Sequence, residues 1–269
     1  MNLYHYTDQI GFIGIVENNC LWATKIQYLN DNNEFKLALN ISKQLLNERL
    51  NTSLNSSEEF RVKRLIENLD NIKNINICVS SLSEKGDLLS QWRGYSSKTG
   101  GYSVGFNKDN IEKQANSLGF ELLKCEYEKQ KHQELVGSLI SETLFKFKDY
   151  LEPEKSCLGL TSDSASYFCT KLAQLAPIIK DPSFCEESEW RLVSKNGLNF
   201  NLLDFRSGKS MLTPYFKINL DGNISKYISE IIVGHTPHVE LAVNSTEAFM
   251  YKHNCKCSIR SSSIPFRNW

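Results

Sequence analysis

Apolar and polar positions alternate with a period of two over residues 3–7, Leu-Tyr-His-Tyr-Thr, which predicts a short half-buried strand. The period then changes. Ile10, Phe12, Ile13, Ile15 and Val16 recur at helical spacing, behind a capping oxygen from Thr7 or Asp8 and ahead of a stop at Asn18 and Asn19. Residues 21–24 return to strand character, and 30–33 are a polar turn. Two amphipathic helices follow, at 34–50 and 57–69, with Leu37, Ala38, Ile41 and Leu45 on the first and Val62, Leu65, Ile66 and Leu69 on the second. They predict a helical hairpin inserted at 34–70.

Beyond the hairpin the pattern predicts a strand at 76–83, a short helix at 87–95, and a strand at 102–106 entered through Gly100 and Gly101. A helix at 107–118, ended by Gly119, leads to a strand at 120–127. Longer helices are expected between 131 and 179, at 131–151 and 162–179, before a polar connection at 180–187. Strands at 189–194, 200–206, 215–220, 229–234 and 255–261 complete the chain, with a turn or short helix at 224–228 and a helix at 237–251. There is no internal repeat, low-complexity segment or long linker, so the expectation is one α+β domain over 1–269 with helical insertions.

The composition changes this picture little. Of 269 residues, 41% are hydrophobic and 23% charged, as in ordinary globular chains. Lys plus Arg and Asp plus Glu are both 31, so contact with nucleic acid would need a local basic patch. No leader pattern opens the chain and no apolar run approaches the roughly 20 residues a membrane helix needs. The eight cysteines show no C-x-x-C spacing, and Cys255 and Cys257 read as alternation on a strand. Reduced thiols in a cytoplasmic protein, away from any membrane, are expected.

Three predicted strand regions carry polar groups out of keeping with a core. One is Tyr4-His5-Tyr6-Thr7, where an imidazole could give one nitrogen to a ligand while backbone holds the other. The second is Ser80-Ser81-Leu82-Ser83, followed by the helix bearing Trp92, Arg93 and Tyr95. In the third, alternation puts Glu187, Glu189 and Arg191 on one face, opposite Trp190 and Leu192. A solvent-facing strand with a Glu–Arg pair would be the structural account of that pattern.

A His-x-Thr strand running into an apolar helix, a Ser-rich strand before an aromatic-bearing helix, and a Glu-x-Glu strand, in that order, resemble the ADP-ribosyltransferase fold. The likeness is to its His/aromatic/Glu branch, whose core is a split β-sheet. His5-Tyr6-Thr7 with Ile13, Ile15, Leu21 and Trp22 is similar to the members that modify nucleic acids. The chain is also similar to a bacterial family of unassigned function, often found near defence genes, which opens Tyr-His-Tyr-Thr. That family carries Leu-Asn-Asp-x-x-Glu, here 29–34, and ends near Ile-Ile-x-Gly, here 231–234.

The transferase resemblance implies that NAD is the substrate. His5 would bond ribose hydroxyls with support from Thr7, and Tyr6, Ser81 and Ser83 would line the cofactor site. Tyr95 or Trp92 would stack on nicotinamide; the aromatic residue usual on the second strand is replaced here by Ser80, Ser81 and Ser83. Glu189 would act on the nicotinamide ribose and Glu187 on the incoming nucleophile, because cleaving that bond builds positive charge that a carboxylate stabilises. Arg191, Arg93 and Arg206 are candidates for the pyrophosphate. A bacterial toxin or phage-defence effector acting on RNA or DNA, neutralised by an antitoxin protein, is the implied setting.

Two readings from other classes stand beside it. One is a non-catalytic interaction module of the same fold. The other is a metal-dependent nuclease built on Asp31, Glu34, Glu187 and Glu189. Ser207-Gly208-Lys209-Ser210 ends like a phosphate loop, but the upstream glycine is missing and Pro214 stands where a helix would begin. His235 and His238 flank Pro237 and read as loop residues.

Overall fold

The computed structural model describes residues 1–29, 32–96, 100–149, 164–208 and 210–266, with only the backbone at 32–34. The 30–33 turn in part, Asp31, the Glu34 side chain, the start of the 162–179 helix, Cys157 and Lys209 lie outside them.

The chain opens with β1 (Asn2–Asp8), whose alternation was visible in sequence. Asp8 caps α1 (Gln9–Asn18) by accepting the Gly11 N–H at 2.8 Å, and Asn19 closes it in the left-handed conformation. Next come β2 (Cys20–Lys25), α2 (Asn32–Leu50) and α3 (Ser56–Asn68). Then follow β3 (Cys78–Ser83), α4 (Leu89–Tyr95), β4 (Gly101–Asn107), α5 (Lys108–Ser117) and β5 (Phe120–Lys124). The middle holds α6 (Lys129–Lys146) and α7 (Ser164–Leu175). The last third contributes β6 (Glu189–Ser194), β7 (Asp204–Ser207), β8 (Leu212–Asn219), β9 (Ile228–Val233), α8 (Val239–Lys252) and β10 (Ser258–Ser261). The strand expected at 200–206 is instead a 3-10 turn, Phe200–Leu202, followed by β7, because the Asn199 side chain caps the turn.

Among the described residues ten strands form one mixed sheet in the order β10-β9-β4-β1-β3-β2-β8-β7. β6 lies against β3 and carries β5 beyond it. The protein is therefore α+β, and its sheet branches at β3. β6 occupies one edge of β3 along Val79–Ser83. β1 pairs only at Ser83 and β2 only at Cys78 and Val79, so both must share the other edge. The edge of β3 at Ser80–Leu82 thus pairs with neither.

Register assigns the two faces, since residues directly opposite one another point the same way. Tyr4, Ser83 and Glu189 share one face, with Ser81 and Arg191, then Val79 and Val193, following by alternation. On this face α2, α3, α6 and α7 bury Val79 and Val193 in one apolar cluster, while Tyr6 packs with Trp92 of α4. The predicted hairpin is therefore half of a four-helix layer completed by α6 and α7. The opposite face carries Leu3, Leu82 and Leu192 under Phe12, Ile15 and Val16 of α1, Ile111 and Ala115 of α5, and Met250 of α8. Among the described residues no cysteines are joined, and no helix is long and apolar enough to cross a membrane.

Candidate functional site

The densest chemistry lies where the four-helix layer meets β6. After α7, Pro177 stops the helix in a 3-10 turn. The chain then bonds alongside Glu126: the Glu126 N–H donates to the Ile178 carbonyl and the Lys180 N–H to that of Glu126. That short parallel contact aims Lys180 at β6. Its ammonium meets one carboxylate oxygen of Glu187 and one of Glu189. Arg191 grips Glu189 bidentately, Nε to Oε1 at 2.8 Å and Nη2 to Oε2 at 3.0 Å, and donates Nη1 to the Pro177 carbonyl at 2.6 Å. The Lys180 and Glu189 side chains are 5% and 7% exposed, so this is a buried ion cluster and not a solvent-facing pair.

Alternation alone misplaces Glu187. It ends a 3-10 turn, Pro182–Glu187, and is not part of β6. Ser188, left-handed at φ 44°, turns the chain between the two carboxylates, and Lys180 brings them back together. Burial opposes the charge on Glu189, but Arg191 and Lys180 outweigh it and hold its carboxyl at about 2. Tyr127 adds a partner by accepting the Glu189 N–H at 2.9 Å.

Tyr95 ends α4 beside this cluster. Tyr95 is 43% exposed, yet desolvation of its hydroxyl, together with the fields of Glu189 and Glu187, pushes its pKa up to about 12. Trp92 is only 1% exposed: it lies edge-on to Tyr6 and donates Nε1 to Asp87 at 2.7 Å, so no face remains for a ligand. Arg93 sits 5.0 Å over the Phe266 ring.

His5 occupies the branch point. By register its side chain leaves β1 on the face opposite Glu189, and the imidazole turns to the open edge of β3, with Nδ1 donating to the Ser81 carbonyl at 2.9 Å. Burial, with a smaller push from Arg206, lowers its pKa and keeps it neutral, although the Ser81 bond opposes this. Nε2 meets no hydrogen-bond partner among the described residues. Arg206 reaches the same region from β7, donating to the Thr24 hydroxyl at 3.1 Å and lying 5.5 Å over Trp22.

The other residues singled out in sequence are tied into the frame. Tyr6 donates its hydroxyl to the Lys85 carbonyl at 2.7 Å and accepts the Leu88 N–H. Thr7 packs so close to Gly11 that a Cβ there would lie 1.9 Å from its hydroxyl. Ser83 donates to the Glu187 carbonyl at 2.6 Å. Thus Glu189, Glu187, Arg191, Ser83 and Tyr95 come together, while His5 and Thr7 lie across the sheet and Trp92 lies beneath α4. Among the described residues no group of three or more His, Cys, Asp or Glu side chains is placed to hold a metal ion.

Lys180, Tyr127 and Asp87 carry no motif. Lys180 directly after Ile178 and Ile179, ahead of Asp181 and Pro182, is the faint signal that could have found the first.

The fold class is thus a branched α+β sheet with a buried carboxylate cluster. Within it, residues 91–192 are similar to a family described only as a protein of unknown function, DUF2971. The similar span takes in Trp92, Tyr95, Lys180, Glu187, Glu189 and Arg191 and leaves His5 outside. No curated protein and no solved structure matches the chain.

Proposed function

We propose that the chain is an NAD-dependent ADP-ribosyltransferase acting on a macromolecule, with RNA or DNA favoured over protein. The observation that carries this reading is the run β6–β3–β1. A Glu-bearing strand and a His-bearing strand flank one Ser-rich strand, and β1 leaves it after a single pair. Toward NAD the chain offers Tyr95 on the Glu189 face. His5, whose side chain leaves β1 on the other face, would reach the same ligand only through the edge of β3 left open at Ser80–Leu82, with Arg206 beside it. Glu189, ionised at any physiological pH, would stabilise the charge that develops on the ribose as its bond to nicotinamide breaks. The breaking bond's electron pair goes to the nicotinamide nitrogen. The acceptor bonds to the same ribose carbon, and Glu187 would take its proton.

Two observations favour the second reading, a non-catalytic module of this fold: Arg191 and Lys180 already occupy both oxygens of Glu189, and His5 leaves the sheet on the face opposite Glu189. Nicotinamide release from NAD, offered with RNA, DNA or total protein, decides between them. Transferase activity predicts release that Glu189→Gln lowers about 10²–10³-fold. Glu187→Gln should cut transfer while sparing hydrolysis by water. A folded wild-type protein that releases nothing with any acceptor overturns the transferase reading.

A further inference from the structure

We infer that the cleft between the ends of α2 and α6 and the start of α3 binds the terminal phosphate of a nucleotide, free or at the end of a nucleic-acid strand.

The cleft has a volume of about 390 Å³. Arg49 of α2 lines it, with Ser57, Glu58 and Arg61 of α3 and Phe145 and Lys148 from the end of α6. Arg61 carries the inference. It is only 5% exposed, and among the described residues its one hydrogen bond runs from Nη1 to the Ser57 hydroxyl at 2.9 Å. Its Nε is buried with no partner. The carboxylates of the first turn are paired elsewhere: Glu58 accepts Arg49 Nη2 at 2.7 Å, and Glu59 accepts Lys63 at 2.6 Å. A guanidinium cannot shed its proton to escape burial, so the positive charge of Arg61 is buried with no negative one against it.

Its place on the helix compounds that cost. Helical side chains lean toward the N-terminus, and the bond to Ser57 sets the guanidinium over the first turn of α3. This is the positive pole of the helix, which favours anions and repels a cation. Asn55 takes up the N–H groups of Glu58 and Glu59, at 2.9 and 3.0 Å, and leaves those of Ser56 and Ser57 unspent among the described residues. A single anion answers the guanidinium, the pole and the spare N–H groups together.

Charge and size choose the anion. Arg49, Arg61 and Lys148 face the cleft against the one carboxylate of Glu58, so a dianion suits it better than a carboxylate does. A phosphate monoester carries close to two charges at neutral pH and offers three acceptor oxygens to a guanidinium fork. The cleft is of the size that takes a small organic ligand, well beyond a bare phosphate. Phe145 stands at its rim, 71% exposed, with the Lys148 ammonium 4.6 Å over the ring. One face of that ring meets a cation, and the other is available to a base.

The test is calorimetric titration of the full chain with AMP, adenosine, inorganic phosphate, and a short oligonucleotide with or without a 5′-phosphate. AMP should bind, inorganic phosphate should bind more weakly, and adenosine should not bind. Arg61→Met should weaken AMP binding on the order of tenfold or more. Its urea midpoint should hold or rise, because Met keeps an apolar stem and removes the buried charge. Lys148→Glu, at the surface, should weaken AMP without touching the fold, and it decides the matter if Arg61→Met does not fold. Phe145→Ala should weaken AMP and leave inorganic phosphate unchanged. A phosphorylated oligonucleotide that binds more tightly than AMP makes a nucleic-acid end the source; one that does not bind makes it a free nucleotide. A folded wild type that binds neither at millimolar concentration overturns the proposal, as does AMP binding indifferent to Arg61→Met and Lys148→Glu. AMP that binds no more tightly than inorganic phosphate overturns the assignment to a nucleotide. AMP is also part of NAD, so the variants are what place its binding here. None of these readouts needs NAD turnover, and the transferase reading can fail without them.

Discussion

β6 and β1 flank the same strand and each brings ionisable groups into a sheet interior, but they settle the cost in opposite ways. On β6 the charge is met at once: Glu189 has Arg191 on both oxygens and Lys180 on one, and Lys180 also holds Glu187. On β1 the group gives up its charge. His5 is held neutral by burial, spends one nitrogen on the Ser81 carbonyl and keeps the other without a described partner. A paired ion cluster is committed to the fold, because losing one partner strands the rest. A neutral imidazole with one nitrogen unspent is committed only in part. Stability should therefore reside on the β6 side and adjustability on the β1 side.

The largest break of that contrast is Arg191→Met. It removes a bidentate partner and a bond to the Pro177 carbonyl, and should cost about 3–5 kcal/mol in urea unfolding. A loss below about 1 kcal/mol would mean that Lys180 alone satisfies Glu189.

Acid titration of stability compares the two strands in one experiment. The Glu189 carboxyl falls from its ordinary 4.5 to about 2 in the folded chain. Its contribution, about 3 kcal/mol, is fully present above 4.5 and is lost as pH falls toward 2. The His5 pKa is lowered from 6.5, so the unfolded chain binds that proton first. Its contribution is present above 6.5 and begins to fade as pH falls below it. His5→Gln should delete the upper decline and leave the lower one. A single decline in the wild type, confined to pH below 4.5, would show that His5 titrates alike in both states.

Lys180→Met should cost less, about 1–3 kcal/mol, since Arg191 still bonds both oxygens of Glu189. It should leave the onset of the acid decline near 4.5, which the unfolded chain sets, but raise the pH at which the decline is complete and make it shallower, which separates loss of charge pairing from loss of packing. An unchanged depth and lower end of the decline would mean that Arg191 supplies all of the effect.

The smallest effect is expected from His5→Ala, about 1 kcal/mol for one hydrogen bond to a carbonyl. Unfolding of that variant under mild conditions would make His5 a structural keystone and reverse the comparison.

The strands bearing these residues were readable from sequence because alternation is a local property: Leu3 to Thr7 and Glu189 to Leu192 show a period of two whatever surrounds them. The helices at 34–50 and 57–69 were readable for the same reason, and their layer buries the stripe that predicted them. Glu187 was misassigned because one left-handed residue, Ser188, breaks the alternation without changing the composition. Lys180 was invisible as a partner because its direction depends on a contact with Glu126, more than fifty residues earlier.

The sequence by itself determined most of the strands and helices, the 3-10 turn at 200–202 apart, and marked 5 and 187–191 as places where polar and ionisable groups are out of keeping with a core strand. Propensity and periodicity act over a few residues and are written in them. Only the tertiary structure decided that His5 and Glu189 leave the sheet on opposite faces, that Trp92 is covered while Tyr95 is open, and that Lys180 closes the carboxylate cluster. Those outcomes depend on strand register and on contacts between distant segments, where a shift of one residue reverses every side chain.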